Sequence, residues 1–259
     1  MKLIVIAALV GAFASHAADA VPAYIARALD DPARPAPQKD KDANRKPGEL
    51  IAFAGLKPGD RIADFVSGNA YFTRIFSRVV GMSGHVYAFT PTEEIKNCSP
   101  DETAGGLALS RGRTYPNVTV EVGPVDDFDA PEPLDMVWTA QNFHDLYDPW
   151  MGPADIARVT GAIFRTLKPG GVFIVIDHVA AAGSGLRDTD TLHRIDPAAI
   201  RWAVTEAGFV LEAESDALRN PDDTHGLRVF DPAIRGKTDQ IVYKFRKPAT
   251  RGAKSGAGG

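Results

Sequence analysis

A doubly wound α/β fold is predicted by three features of the sequence. Strand-like and helix-like runs alternate from Glu49 onward, the strand-like runs are apolar at nearly every position, and Gly/Pro turns such as Lys57-Pro58-Gly59-Asp60 separate them. Alternation at these lengths is the signature of right-handed crossovers in a mostly parallel sheet. Strands that stay apolar without alternation, such as Val172 to Ile176, need burial on both faces, which helices packed on either side supply.

The elements follow in order. Ala23 to Leu29 has the composition of a short helix, and residues 30–47 hold Pro32, Pro35, Pro37 and Pro47 among charged side chains, which predicts a loop or arm that buries little. Leu50, Ile51, Phe53 and Ala54 recur at helical spacing until Gly55 stops the helix, and Arg61 to Val66 reads as a buried strand. Ala70 to Val80 places Phe72, Ile75, Phe76, Val79 and Val80 on one helical stripe, followed by a strand from His85 to Phe89. Val118 to Val122 and Met136 to Thr139 are strands, Ile156 to Leu167 a helix, Pro197 to Ala207 a helix with proline in its first turn, and Phe209 to Ala217 and Asp239 to Phe245 the closing strands.

Composition bounds the function. At 44% hydrophobic and 24% charged residues the chain is globular, and a net charge of −4 offers no basic field for a nucleic-acid backbone or an anionic lipid surface. Lys2, the apolar run Leu3 to Phe13 and the small-residue sites Ser15-His16-Ala17 or Ala18-Asp19-Ala20 have the layout of a secretory signal peptide, so the mature protein is expected outside the cytoplasm, in the periplasm. That run is shorter than the roughly 20 residues of a membrane span, and no later stretch reaches that length. The expected layout is a signal peptide at 1–20, an arm at 21–48, a domain at 49–247 and a disordered glycine-rich tail at 248–259. Cys98 is the sole cysteine, which rules out an internal disulfide, and its polar neighbours read as a surface thiol.

At Ile62 to Phe72 the string IADFVSGNAYF puts an acid at the end of the first strand, a small-residue turn after it and then a helix. Strand ends and helix N-termini converge at such a switch point, where open α/β sheets bind ligands. With "LKPGG" at Leu167 to Gly171, this string resembles the class I S-adenosylmethionine-dependent methyltransferases over roughly Glu49 to Lys247. The strings "YFTRIFSRVVG", "NFHDLYD", "LKPGGVFIVIDH", "LHRID" and "RGKTDQIVYKFRKP" look like a subgroup of predicted methyltransferases that often carry signal peptides. The resemblance implies a Rossmann-like seven-stranded sheet with an antiparallel last strand, S-adenosyl-L-methionine as cofactor over the first two strand ends, and a small-molecule acceptor. It places Asp64, Ser67, Gly68 and Asn69 on the methionine side, with Asn142 also toward the donor.

The sequence departs from that family's pattern where the donor would lie. The acid-x-Gly-x-Gly-x-Gly turn is here Asp64-Phe65-Val66-Ser67-Gly68-Asn69-Ala70, with only the central glycine kept. The second strand of the family ends in an acid for the ribose hydroxyls. Here it ends in Thr90, with Glu93 and Glu94 nearby. The acid expected toward the adenine is Pro124, with Asp126 two residues on. Thr90, Glu93 and Asp126 are the stand-ins expected at those places.

His144-Asp145, Asp177-His178, His193-Arg194 and His225 all fall on segments that follow strands, so they are expected to share one pocket beside Gly68. A neutral imidazole oriented by a carboxylate can take a proton from an attacking hydroxyl, thiol or amine, which makes His144, Asp145, His178 and His193 the candidate catalytic set. The four histidines come from four separate segments with no compact ligand motif, so a metal centre is not expected. Arg187, Arg194, Arg228 and Arg235 read as ion-pair partners or anion clamps, and Trp138 and Trp202 as core or pocket wall. The other reading is an exported protein that kept the fold, lost the donor and binds a metal or an anion, since S-adenosylmethionine is made in the cytoplasm.

Overall fold

The computed structural model describes residues 21–249. The expected leader at 1–20 and the tail from residue 250 lie outside the described residues. Seven strands, β1 Arg61–Phe65, β2 His85–Pro91, β3 Val118–Gly123, β4 Leu134–Ala140, β5 Leu167–His178, β6 Val210–Glu214 and β7 Gln240–Arg246, form one sheet in the order β3-β2-β1-β4-β5-β7-β6. The first five pair in parallel, and β7 runs antiparallel to both β5 and β6. Strand order reverses beside β1, which has β2 on one side and β4 on the other, so a crevice opens at its carboxyl end.

Ten helices accompany the sheet among the described residues: α1 Ala23–Leu29, α2 Ala36–Lys39, α3 Asp42–Arg45, α4 Pro47–Ala54, α5 Tyr71–Val80, α6 Thr92–Asn97, α7 Pro100–Leu107, α8 Ile156–Thr166, α9 Thr189–Leu192 and α10 Pro197–Glu206. Their ends obey local chemistry. The Asp155 and Asp196 carboxylates accept from the Arg158 and Ala198 amides to start α8 and α10, and α4 stops at Gly55 in the left-handed conformation. Successive β5 residues serve opposite cores. Phe173 and Val175 meet Val159, Ile163, Ile200 and Val204 of α8 and α10, while Ile174 and Ile176 belong with Ile25, Leu50, Ile51, Ile75 and Phe76 of α1, α4 and α5. This two-sided burial is why the strand reads as unbroken hydrophobic sequence, and each such side chain contributes about 1.5–3 kcal/mol.

Two expectations need correction, and two helices were not foreseen. The segment 30–47 is no loose arm: it forms α2 and α3 and buries Asp31, Arg34 and Gln38. Its charges are buried in pairs. Arg34 donates to Asp42 at 2.7 and 2.8 Å, and Asp31 accepts from Arg78 at 2.8 Å and Tyr115 at 3.0 Å. Helices α6 and α7 lack a periodic apolar stripe and are invisible to hydrophobic patterning, although Ser99 and Pro100 are sound start signals for α7. Trp138 is core, but Trp202 stands 66% exposed on the outer side of α10.

Candidate functional site

At the end of β1 the chain makes the turn from Asp64 to Ala70. Val66, Gly68 and Ala70 have φ of +60°, +50° and +56°, so all three positions where the family pattern has glycine are left-handed, although two carry side chains. Only glycine adopts this conformation without steric penalty; for other residues it costs roughly 1–2 kcal/mol. The surroundings hold it in place. Ser67 N donates to Phe89 O at 2.9 Å, Asn142 Nδ2 to Val66 O at 2.9 Å, Gln38 Nε2 to Asn69 O at 2.9 Å and Arg74 Nη1 to the same carbonyl at 2.7 Å.

Two carboxyl groups sit in this turn region. Burial pushes the Asp64 carboxyl up to about 7, against the lowering effect of the Thr73 hydroxyl, which donates to it at 2.5 Å. Glu94 is buried with Oε2 unpartnered. Burial, followed by the charges of Asp145, Glu102 and Asp64, pushes its carboxyl up to about 8. A Cβ added to Gly68 would stand 3.5 Å from Glu94 Oε1, so this acid directly faces the turn.

The expected stand-ins are placed otherwise. Thr90 is fully buried, its hydroxyl 3.1 Å from that of Ser67, and merely ties the ends of β2 and β1 together. Glu93 accepts from Val125 N at 3.2 Å, and Asp126 accepts from Asp155 N at 3.0 Å ahead of α8. Both are spent on loop structure, because along α6 the residue after Glu93 is the one that turns inward. Helix α7 closes over the turn: a Cβ at Gly106 would collide with the Gly68 carbonyl, and Arg74 Nη2 reaches Gly105 O at 2.8 Å.

The histidines meet at the neighbouring strand ends. His144 opens a 3-10 turn after β4, and its Nδ1–H donates to Asp177 Oδ1 at 2.7 Å. Asp177 also accepts from the backbone amides of His144 at 2.8 Å and His178 at 2.7 Å. His144 Nε2 lies 3.1 Å from Asp145 Oδ1 and 3.3 Å from His193 Nδ1, and the last two atoms are 3.6 Å apart. Burial disfavours charge on His144, but Asp177 and Asp145 outweigh it and hold its pKa well above the ordinary imidazole range. Asp148 beside them is fully buried with neither oxygen partnered.

His193 terminates α9 with φ of +52°, and the next residue anchors it. Arg194 is fully buried, paired with Asp223 at 2.9 and 3.1 Å and donating to Val179 O and Leu227 O. His178 is a neighbour rather than a member, its ring centroid 6.2 Å from that of His144. Its Nδ1 lies 2.7 Å from the Thr238 hydroxyl, and burial pushes its pKa down to about 3, which suits a structural imidazole better than a base. His225 is apart, on Asp239 at 3.0 Å. Among the arginines, Arg187 pairs with Asp188, and Arg228 donates to His193 Nε2 at 3.0 Å. Cys98 is half-buried near the acids, and burial, then Glu102, Glu94 and Asp145, push its thiol up to about 12.

No family model matches the chain. The ubiquinone/menaquinone biosynthesis C-methyltransferase UbiE of Vibrio cholerae serotype O1 is 22% identical over 199 residues, 75% of this chain and 68% of that protein. A SAM-dependent methyltransferase from Aquifex aeolicus superposes with a TM-score of 0.55 at 16% identity, covering 86% of this chain and 96% of the other. The chain has the class I methyltransferase fold. The [4+2]-cyclase SpnF superposes equally well, with a TM-score of 0.56 at 19% identity over 80% of this chain and 81% of that one, so this methyltransferase fold alone does not fix the reaction.

Within the methyltransferase fold, the two structural halves described above adjoin at one sheet edge, with Glu94 between them. Sequence reading missed three of these groups. Glu94 stood one place beyond the expected acid, with helical phase in α6 as the signal. Asp148 closes the "NFHDLYD" string but was given no role there, and the contact of Arg228 with His193 carried no signal in the local sequence.

Proposed function

We propose that this chain transfers a methyl group from S-adenosyl-L-methionine to a small-molecule acceptor. The observation that carries this reading is the conformation of the turn: Val66, Gly68 and Ala70 all stay left-handed although only one is glycine. Strain of this kind persists where the surroundings enforce it, and it gathers at ligand sites. A second feature fits a donor: the Glu94 carboxyl is buried, with Oε1 facing Gly68 and Oε2 unpartnered, near where the family pattern has an acid for the ribose hydroxyls.

When bound, the donor supplies an electrophilic methyl on a sulfonium, and the protein's task is mainly to position the acceptor. Asp64, Gly68 and Asn69 would hold the methionine end and Glu94 the ribose, with Asn142 fixing the turn through the Val66 carbonyl. Access to the turn requires α7 to lift from it, since Gly106 rests on the Gly68 carbonyl and Gly105 on the Asn69 side chain. On the acceptor side His193 and Asp145 are the reachable members of the cluster, with side chains 15% and 12% exposed. Asp145, or His193 once Arg228 moves off its Nε2, takes the proton released from a hydroxyl, thiol or amine. His144 and Asp177 are positioning residues behind them. The N-terminal sequence supports an exported, periplasmic location, which fractionation with N-terminal sequencing would test by finding a start at Ala18 or Val21.

Equilibrium dialysis of labelled donor against the protein tests the reading. Because an ionised carboxylate accepts hydroxyl hydrogen bonds best, affinity should rise with pH through about 8. In Glu94→Gln it should be weaker and flat. A folded wild type that retains no donor at millimolar concentration would overturn the proposal.

A further inference from the structure

The three polar atoms at the centre of the histidine cluster are arranged in a way that hydrogen bonding does not satisfy. His144 Nδ1–H is committed to Asp177, which leaves Nε2 facing Asp145 Oδ1 at 3.1 Å and His193 Nδ1 at 3.3 Å. Arg228 donates to His193 Nε2, so the proton of that ring sits on Nδ1. If His144 Nε2 carries no proton, its lone pair confronts the carboxylate oxygen. If it carries one, two N–H groups confront each other. The remaining acceptor for His193, Asp145 Oδ1, is 3.6 Å away and outside hydrogen-bond range. One pair is mismatched in either case.

We propose that His144 Nε2, Asp145 Oδ1 and His193 Nδ1 are three ligands of a divalent transition-metal cation, with its remaining positions open to water or to an acceptor heteroatom. The separations fit: ligands about 2.1 Å from a tetrahedral centre stand about 3.4 Å apart, and these three atoms span 3.1, 3.3 and 3.6 Å. Among the described residues this trio is the group so arranged. Two imidazoles and a carboxylate suit zinc or iron(II).

The surroundings are those of a built site. Asp177 grips Nδ1 of His144 and so presents Nε2 as a ligand, the carboxylate–histidine support that commonly stands behind a metal. The strained His193 backbone is pinned by the buried Arg194–Asp223 pair. On binding, the His193 proton moves to Nε2 and the exposed Arg228 side chain swings away. With the cation bound, a coordinated acceptor would have its pKa lowered and its proton would pass to solvent water, in place of the transfer to Asp145 or His193 open to the metal-free cluster. The site itself does not depend on the methyltransferase reading.

Full-length protein treated with chelator is titrated with zinc chloride by calorimetry, without donor, and with cobalt(II) as a visible-absorption probe. The expected result is one zinc per chain at micromolar affinity or tighter, with cobalt bands of an N/O site. Asp145→Asn and His193→Asn should each weaken zinc at least about 100-fold, and Asp177→Asn about 10- to 100-fold. Asparagine tolerates the left-handed backbone at 193, so a folded variant is expected and circular dichroism checks it. His225→Ala, outside the trio, should bind zinc as wild type does. A folded wild type that takes up no zinc at millimolar concentration, or undiminished zinc in both Asp145→Asn and His193→Asn, overturns the proposal.

Discussion

The two halves of the site depart from their sequence signals in opposite ways. At the turn the residues have drifted while the backbone has not: two of three glycines are replaced, yet Val66 and Ala70 adopt the glycine conformation. At the cluster the residues are plain in the sequence, and what folding adds is their meeting, from the ends of β4, β5 and α9. Conformation is therefore the trait held at the turn, and chemical groups are the trait held at the cluster. A motif search sees only the second.

Variants at the two buried aspartates should separate the halves most sharply. Asp177 accepts three N–H bonds from the cluster, so Asp177→Asn leaves donors unmatched and His144 charge uncompensated. It should cost about 3–5 kcal/mol in urea denaturation. Asp64, pushed up to about 7 by burial and bonded by the hydroxyl and the backbone amide of Thr73 alone, is close to an amide already, and Asp64→Asn should cost about 1 kcal/mol. Equal losses would break the contrast.

A titration sharpens it next. The Glu94 carboxyl is raised from 4.5 to about 8, so folding favours its protonated form. The stability from this group is full below its unfolded pKa and is lost as pH rises through about 8, at up to about 1.4 kcal/mol per unit. Glu94→Gln should gain on wild type between about pH 5 and 9 in paired denaturation curves. Parallel profiles would show that Glu94 is not buried beside Gly68.

The smallest effect concerns backbone strain alone. Removing a buried alanine methyl from a helix, as in Ala203→Gly on α10, should cost about 1–2 kcal/mol. Ala70→Gly loses a similar methyl but relieves a left-handed backbone, so its net change should stay within about 0.5 kcal/mol. If both variants lose the same amount, the turn is not strained.

The sheet was legible because β1, β2, β4 and β5 are buried on both faces, which leaves unbroken apolar runs, and because Gly55 and Pro197 mark helix ends chemically. The arm was misread because proline and charge density says nothing of pairing: Arg34 with Asp42 and Asp31 with Arg78 make burial tolerable only in three dimensions. His144, Asp145 and His193 were legible as residues at one edge, while His178 and His225, of the same type and on the same edge, turn to Thr238 and Asp239. Side-chain direction separates them, and strand order does not encode it. Glu93 and Glu94 differ by one position in a helix, a 100° rotation, which turns Glu94 toward Gly68 and Glu93 toward the Val125 amide.

The central claim is that the left-handed turn binds the donor. Calorimetric titration of S-adenosyl-L-methionine into the wild type and into Gly68→Val tests it most directly. A β-branched residue is an outlier at a φ of +50°, and its side chain would press toward Glu94. Saturable binding in the wild type, weakened about 30-fold or more in a variant that stays folded, is the predicted result. Equal affinities in the two proteins, or no heat from a folded wild type at millimolar donor, would contradict it.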